Sequence, residues 1–140
     1  MEDVGRAMPV NEAYLKGQLR DCFKKHLRGC IVLRHEDHFT AGIPDASITW
    51  KKRTTWLEAK HARPTPKALG VQIDTCNQLS ISGYCWFVVY QERRGERRTL
   101  MVEPQSFYDL DSIPGECVTS GFNHYFVVDF IRSTYGYPVL

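Results

Sequence analysis

Three residues stand apart by type and spacing in the stretch GIPDASITWKKRTTWLEAKHA, residues 42–62: Asp45 directly after Pro44, then Glu58 and Lys60 two positions apart. Two carboxylates converging with a lysine suit the cutting of a phosphodiester. Mg²⁺ takes hard oxygen ligands, typically one or two carboxylates with water and substrate phosphate in the other positions, and Asp45 and Glu58 would supply them. The backbone carbonyl of Ala59 could add a third oxygen. An ion held there lowers the pKa of a bound water and polarises a phosphate. Lys60 could orient or help deprotonate that water and offset the charge that grows on the phosphorane. The competing reading is an exposed cross-strand ion pair, Asp45 with Lys60, beside a surface Glu58, an arrangement that contributes little.

Positioning these groups requires a hairpin. The stretch reads as two strands, roughly 45–51 and 54–60, around a turn near Lys52 and Arg53. An even-numbered turn centred there sets Asp45 opposite Lys60 and Ser47 opposite Glu58. Period-2 alternation then collects Asp45, Ser47, Thr49, Trp56, Glu58 and Lys60 on one face, leaving Ala46, Ile48, Trp50, Leu57 and Ala59 to bury on the other. Asp45 and Glu58 become diagonal neighbours, about 7 Å apart at Cβ.

The flanking elements follow from periodicity and punctuation. Asn11 is the expected N-cap of a first helix, with Val10 and Leu15 as a hydrophobic staple and Leu15, Leu19, Phe23 and Leu27 recurring every four residues before Gly29. Glu12 lies one turn before Leu15 on that face, looking toward the body of the protein or serving only as a first-turn acid. CIVLRHE is a short strand, and residues 36–44 form a loop. A second helix is announced by Thr65 and Pro66, carries Leu69, Ile73, Cys76 and Leu79, and stops at Gly83, with Gln72 on the edge of its buried face. YCWFVVY, residues 84–90, has the length and continuous apolarity of a central strand. TLMVEP is read as another strand, residues 105–120 as a loop with a helical turn, and HYFVVDFIR as a final strand. The order α-β-β-β-α-β with extra C-terminal strands predicts an α/β fold, a mixed sheet flanked by helices. A chain of 140 residues fits one domain, with a core over about 10–92 and a β extension over 93–140.

Hydrophobic residues at 43% and charged residues at 24% are near globular averages, and the formal net charge of +2 says little by itself. Its distribution says more: six basic residues, Lys51, Lys52, Arg53, Lys60, Arg63 and Lys67, face the single acid Glu58 between positions 51 and 67. Arg63 and Lys67 suit phosphate contacts that position DNA without reading its sequence, and His38 in the preceding loop could contact a phosphate, as could His35. A second basic group, RRGERR at 93–98, reads as a solvated turn. The five cysteines lack any CxxC, which favours reduced thiols in a cytosolic protein. Cys22, His26, Cys30, His35 and His38 match no standard zinc spacing. The N-terminus has no signal-peptide pattern, and no apolar run is long enough to span a membrane.

GIPDASITW followed by TTWLEAK resembles the PD-(D/E)xK nuclease superfamily, with Pro44 and Asp45 as the PD and Glu58, Ala59 and Lys60 as the ExK. More narrowly, the pattern is similar to the virus-type replication-repair nuclease group (VRR-NUC), in which a helix after the ExK carries a glutamine, matched by Gln72, and an apolar strand follows. Glu12 matches that group's N-terminal helical acid. The resemblance covers about residues 10–92, and Ala59 and His61 depart from the β-branched residue and glycine usual beside the lysine. It implies a restriction-endonuclease-like core, dependence on Mg²⁺ or Mn²⁺, and hydrolysis of DNA. It further implies a homodimer that cuts branched DNA such as a four-way (Holliday) junction, in the cytoplasm of a bacterial or phage-infected cell. A flap or restriction-type nuclease, or a DNA-binding module without turnover, are the alternatives.

Overall fold

The computed structural model describes residues 10–35, 42–62 and 70–136. Its first helix, α1 (Glu12–His26), is capped as the sequence predicts: the Asn11 side chain accepts a hydrogen bond from the Tyr14 N–H at 2.8 Å. Leu15, Leu19, Phe23 and Leu27 are all buried. They form the apolar stripe that their spacing requires.

Strands β1 (Ile31–Arg34), β2 (Ala46–Trp50) and β3 (Arg53–Ala62) form an antiparallel meander. The β2–β3 register differs from the expected one. Ala46 faces Leu57, Ser47 faces Trp56 and Trp50 faces Arg53, so the turn is Lys51–Lys52, one residue earlier than anticipated. Both lysines have positive φ, 51° and 66°, the conformation of a two-residue type I′ turn whose twist matches the flanking strands. Pairs therefore shift by two residues, which leaves the division into faces intact but removes the Asp45–Lys60 and Ser47–Glu58 pairings. Non-glycine residues resist this conformation. Lys52→Gly is expected to stabilise the protein by about 0.5–1 kcal/mol after glycine's own entropy cost, seen as a rise of a few degrees in thermal denaturation; a lower melting temperature would contradict this account of the turn.

A crossover through α2 (Gly70–Ser82) makes β4 (Tyr84–Arg93) parallel to β3, and β5 (Glu96–Val102) and β6 (Val118–Ser120) continue antiparallel beyond it. The result is a six-stranded mixed sheet in sequential order β1 to β6. One face carries Ile48, Leu57, Val88 and Met101 against α1 and α3 (His124–Ser133); the other carries Phe87, Val89, Leu100 and Val102 against Ile73 and Cys76 of α2 and against Phe107.

The C-terminal stretch HYFVVDFIR, expected as a strand, is helix α3. The Asn123 side chain accepts from the Phe126 N–H at 2.9 Å, and Val127, Val128 and Ile131 are buried at helical spacing. The β-branched run that favoured a strand is overridden by burial on one helical stripe. The β extension is thus limited to β5 and β6, separated by 3₁₀ turns at Pro104–Ser106, Leu110–Ser112 and Gly115–Cys117. The expected cap of α2 at Thr65 and Pro66 lies outside the described residues. All five cysteines are free thiols. Among the described residues no helix is long and apolar enough to cross a membrane.

Candidate active site

Strand β2 begins at Ala46, one position after Asp45, so among the described residues β3 has no strand partner on that side beyond Leu57. Backbone N–H groups left at such an edge need acceptors, and carboxylates provide them. The Ala59 N–H donates to Asp45 Oδ2 at 3.1 Å, and the His61 N–H donates to Glu12 Oε1 at 3.1 Å. The Asp45 N–H in turn donates to Glu58 Oε1 at 3.1 Å. Since a strand residue directs its N–H and C=O to the same edge, the Ala59 carbonyl faces this gap as well. Three acids are therefore fixed where β2 ends, each by a main-chain donor.

Two lysines complete the group. Lys60 Nζ lies 3.6 Å from Glu58 Oε2. Lys16, one turn after Glu12 on α1, sets its Nζ 2.9 Å from Asp45 Oδ2, 3.2 Å from Glu12 Oε2 and 4.0 Å from Glu58 Oε2. Sequence reasoning found Asp45, Glu58, Lys60 and Glu12 but missed Lys16. The signal was available in the i,i+4 spacing from Glu12, for which an inward-looking role was one of two readings.

Glu58 is only 1% exposed. Burial first, and then the negative charge of Asp45, push its carboxyl up to about 8, against the pull of Lys60 and Lys16. Burial of Lys16 works to lower its pKa, but the hydrogen bond and charge of Asp45, with Glu12 and Glu58 behind it, leave the net shift upward. It remains an ammonium. The carboxylates thus demand a cation, and a side-chain cation stands among them. The donor set suits a hard divalent ion: the carboxylates of Asp45 and Glu58 with the Ala59 carbonyl beside them. Among the described residues no group of three or more His, Cys, Asp or Glu side chains forms a metal cage. Replacing Lys16 with Met leaves the acids unneutralised and is expected to cost the metal-free protein about 1–3 kcal/mol. Thermal denaturation in EDTA measures this, and an unchanged midpoint would mean that Lys16 is not needed as a counter-charge.

Other expected residues stand elsewhere. Gln72 is partly buried on α2 and, among the described residues, makes no hydrogen bond to this group. His35 Nε2 lies 2.8 Å from Ser47 Oγ and its ring packs 4.8 Å from Trp56, so it supports β2 and β3. Trp56 is half-buried. His61 Nε2 lies 3.2 Å from Glu92 Oε1, directed away from the carboxylates. Lys51 and Lys52 are exposed at the hairpin turn, seven and six positions before Glu58 and therefore at least about 20 Å along the strand. The Arg53 guanidinium is stacked between Tyr84 at 4.0 Å and Tyr135 at 3.6 Å and bonded to Thr134. It ties the hairpin to α3 and is not presented to a ligand. Arg63, Lys67 and His38 lie outside the described residues.

Taken together, fold and site define an α/β protein with a mixed sheet and a partly buried carboxylate–lysine cluster at one strand end. No protein-family model and no curated protein matches the chain.

Proposed function

We propose that this protein is a metal-dependent DNA endonuclease of the PD-(D/E)xK type, most like the VRR-NUC group, built on a restriction-endonuclease-like core. The observation that carries this reading is the convergence of Asp45 and Glu58, joined by the 3.1 Å bond from the Asp45 N–H, with the Lys60 ammonium 3.6 Å from Glu58. An incidental surface ion pair has no reason to bury an acid to 1% exposure or to fix its neighbours with main-chain donors.

Asp45, Glu58 and the Ala59 carbonyl would hold Mg²⁺ or Mn²⁺. Such an ion, when bound, supplies a more acidic water and a polarised phosphate oxygen. The chain's own groups do the rest. Ala59 N–H orients the Asp45 carboxylate, and Asp45 N–H orients that of Glu58. Lys60 holds the attacking water, takes up its proton when deprotonated, and as an ammonium offsets charge on the phosphorane. Glu12 anchors α1 to β3 and so keeps Lys16 at the acids, neutralising them when no divalent ion is bound. Gln72 contributes to the α2 side, touching water or DNA.

The substrate we assign is branched DNA such as a four-way junction, cut by a homodimer in the cytoplasm, because paired incisions need two sites related by symmetry. Labelled linear duplex, flap and junction DNA incubated with Mg²⁺, Mn²⁺ or EDTA test this. Paired cuts in the junction that EDTA suppresses are expected. Preferential flap cutting would reassign the substrate, and binding without cutting under either metal would leave only a DNA-binding module.

A further inference from the structure

The face of the sheet that carries Glu58 and Lys60 continues across β4, β5 and β6. Register partners share a face: Ala62 faces Gln91, Gln91 faces Arg98, and Arg98 faces Ser120. Arg98 therefore stands on the same face as the acid and lysine of the ExK. There, an open cavity of about 550 Å³ is lined by Gln91, Arg93, Glu96, Arg97, Arg98 and the short strand β6. Arg98 is held by its Nε, which donates to Gln91 Oε1 at 2.6 Å. Its Nη2 is buried and has no hydrogen-bond partner among the described residues; the carboxylate of Asp111, 3.9 Å away and largely exposed, is beyond bonding reach. A buried guanidinium nitrogen without an acceptor is costly, so its place in a polar cavity points to an acceptor that arrives with a ligand.

Which acceptor follows from the surroundings. Arg97 is engaged on the other face, over Phe122 at 4.8 Å and 3.4 Å from Glu92. Arg93 is exposed at the end of β4, and among the described residues Glu96 is the only acid in the lining. Two arginines with Ser120, which shares the face of Arg98, at one wall form a donor-rich concavity suited to a phosphate group. Four strand positions and two strand spacings separate Arg98 from Glu58, about 15 Å.

We propose that this cavity binds a backbone phosphate of the DNA, with Arg98 and Arg93 as its ligands, and sets the strand in register with the cutting site. The inference rests on the nuclease reading and concerns positioning, independent of base sequence.

The test is equilibrium binding of a fluorescently labelled four-way junction in EDTA, where no cutting occurs, measured against salt for the unaltered protein, Arg93→Gln and Arg98→Gln. Each substitution is expected to weaken binding about tenfold and to lower the slope of log K against log salt by about 1. Arg93 is exposed, so its variant retains the fold even if Arg98→Gln does not. Unchanged affinity and slope in Arg93→Gln and in a folded Arg98→Gln, with DNA still bound, would overturn the phosphate site and leave the nuclease reading standing. Absence of DNA binding by the unaltered protein would overturn both.

Discussion

Asp45→Asn is expected to reduce DNA cleavage by a hundredfold or more, the scale of losing one preorganised electrostatic group at a reacting centre, while leaving the fold in place. The amide oxygen of asparagine can still accept the Ala59 N–H bond that Asp45 Oδ2 accepts at 3.1 Å, so the open edge of β3 stays satisfied. What disappears is one of two carboxylate charges available to a divalent ion and the closest partner of Lys16, 2.9 Å away. Circular dichroism with the cleavage assay separates these effects. A folded Asp45→Asn protein that cuts at the unaltered rate would remove Asp45 from the chemistry.

The second large effect concerns pH. The Glu58 carboxyl, pushed up to about 8 by burial and then by Asp45, keeps its proton in the folded state over a range where the unfolded chain, near 4.3, has lost it. Folded protein then binds more protons than unfolded protein, and stability falls as pH rises. The decline begins near the unfolded value, runs to about pH 8 and levels off above it. Each unit of displacement is worth about 1.4 kcal/mol, so the whole decline is on the order of a few kcal/mol. Glu58→Gln keeps Oε1 as acceptor for the Asp45 N–H and carries no charge. Denaturant unfolding in EDTA should show this variant more stable than the unaltered protein at pH 8, with the two converging near pH 5. Parallel stability curves across that range would contradict the assignment of Glu58 as the strained acid.

Much of the fold was legible because the elements announce themselves locally. Asn11 and the four-residue recurrence of Leu15, Leu19, Phe23 and Leu27 defined α1, and the apolar run 84–90 marked β4 from its first residue. The hairpin was legible, but its register was not: choosing the turn required knowing that Lys51 and Lys52 adopt positive φ, a conformation their side chains do not advertise. Helix α3 was misread because Val127, Val128 and Ile131 serve a strand or a helix equally well until the packing surface is known.

The candidate site divides along the same line. Asp45, Glu58 and Lys60 were visible as a spacing, and Glu12 as an acid that either looked inward or merely opened the helix. Their assembly at the gap beyond Ala46 depends on where β2 stops, which no local pattern reports. Lys16 entered only through tertiary contact with Asp45 and Glu58. Arg53, counted with the basic cluster, belongs to the aromatic seam of Tyr84 and Tyr135. Its charge carried no hint of that packing.

In the proposed function, the carboxylate–lysine cluster hydrolyses DNA with a divalent ion. Single-turnover cleavage of junction DNA in Mn²⁺, by the unaltered protein and Lys60→Ala side by side and with EDTA as control, tests it most directly. Cutting that EDTA stops and that Lys60→Ala slows about a hundredfold or more is expected. No cutting in Mn²⁺, or equal rates for the two proteins, would contradict it.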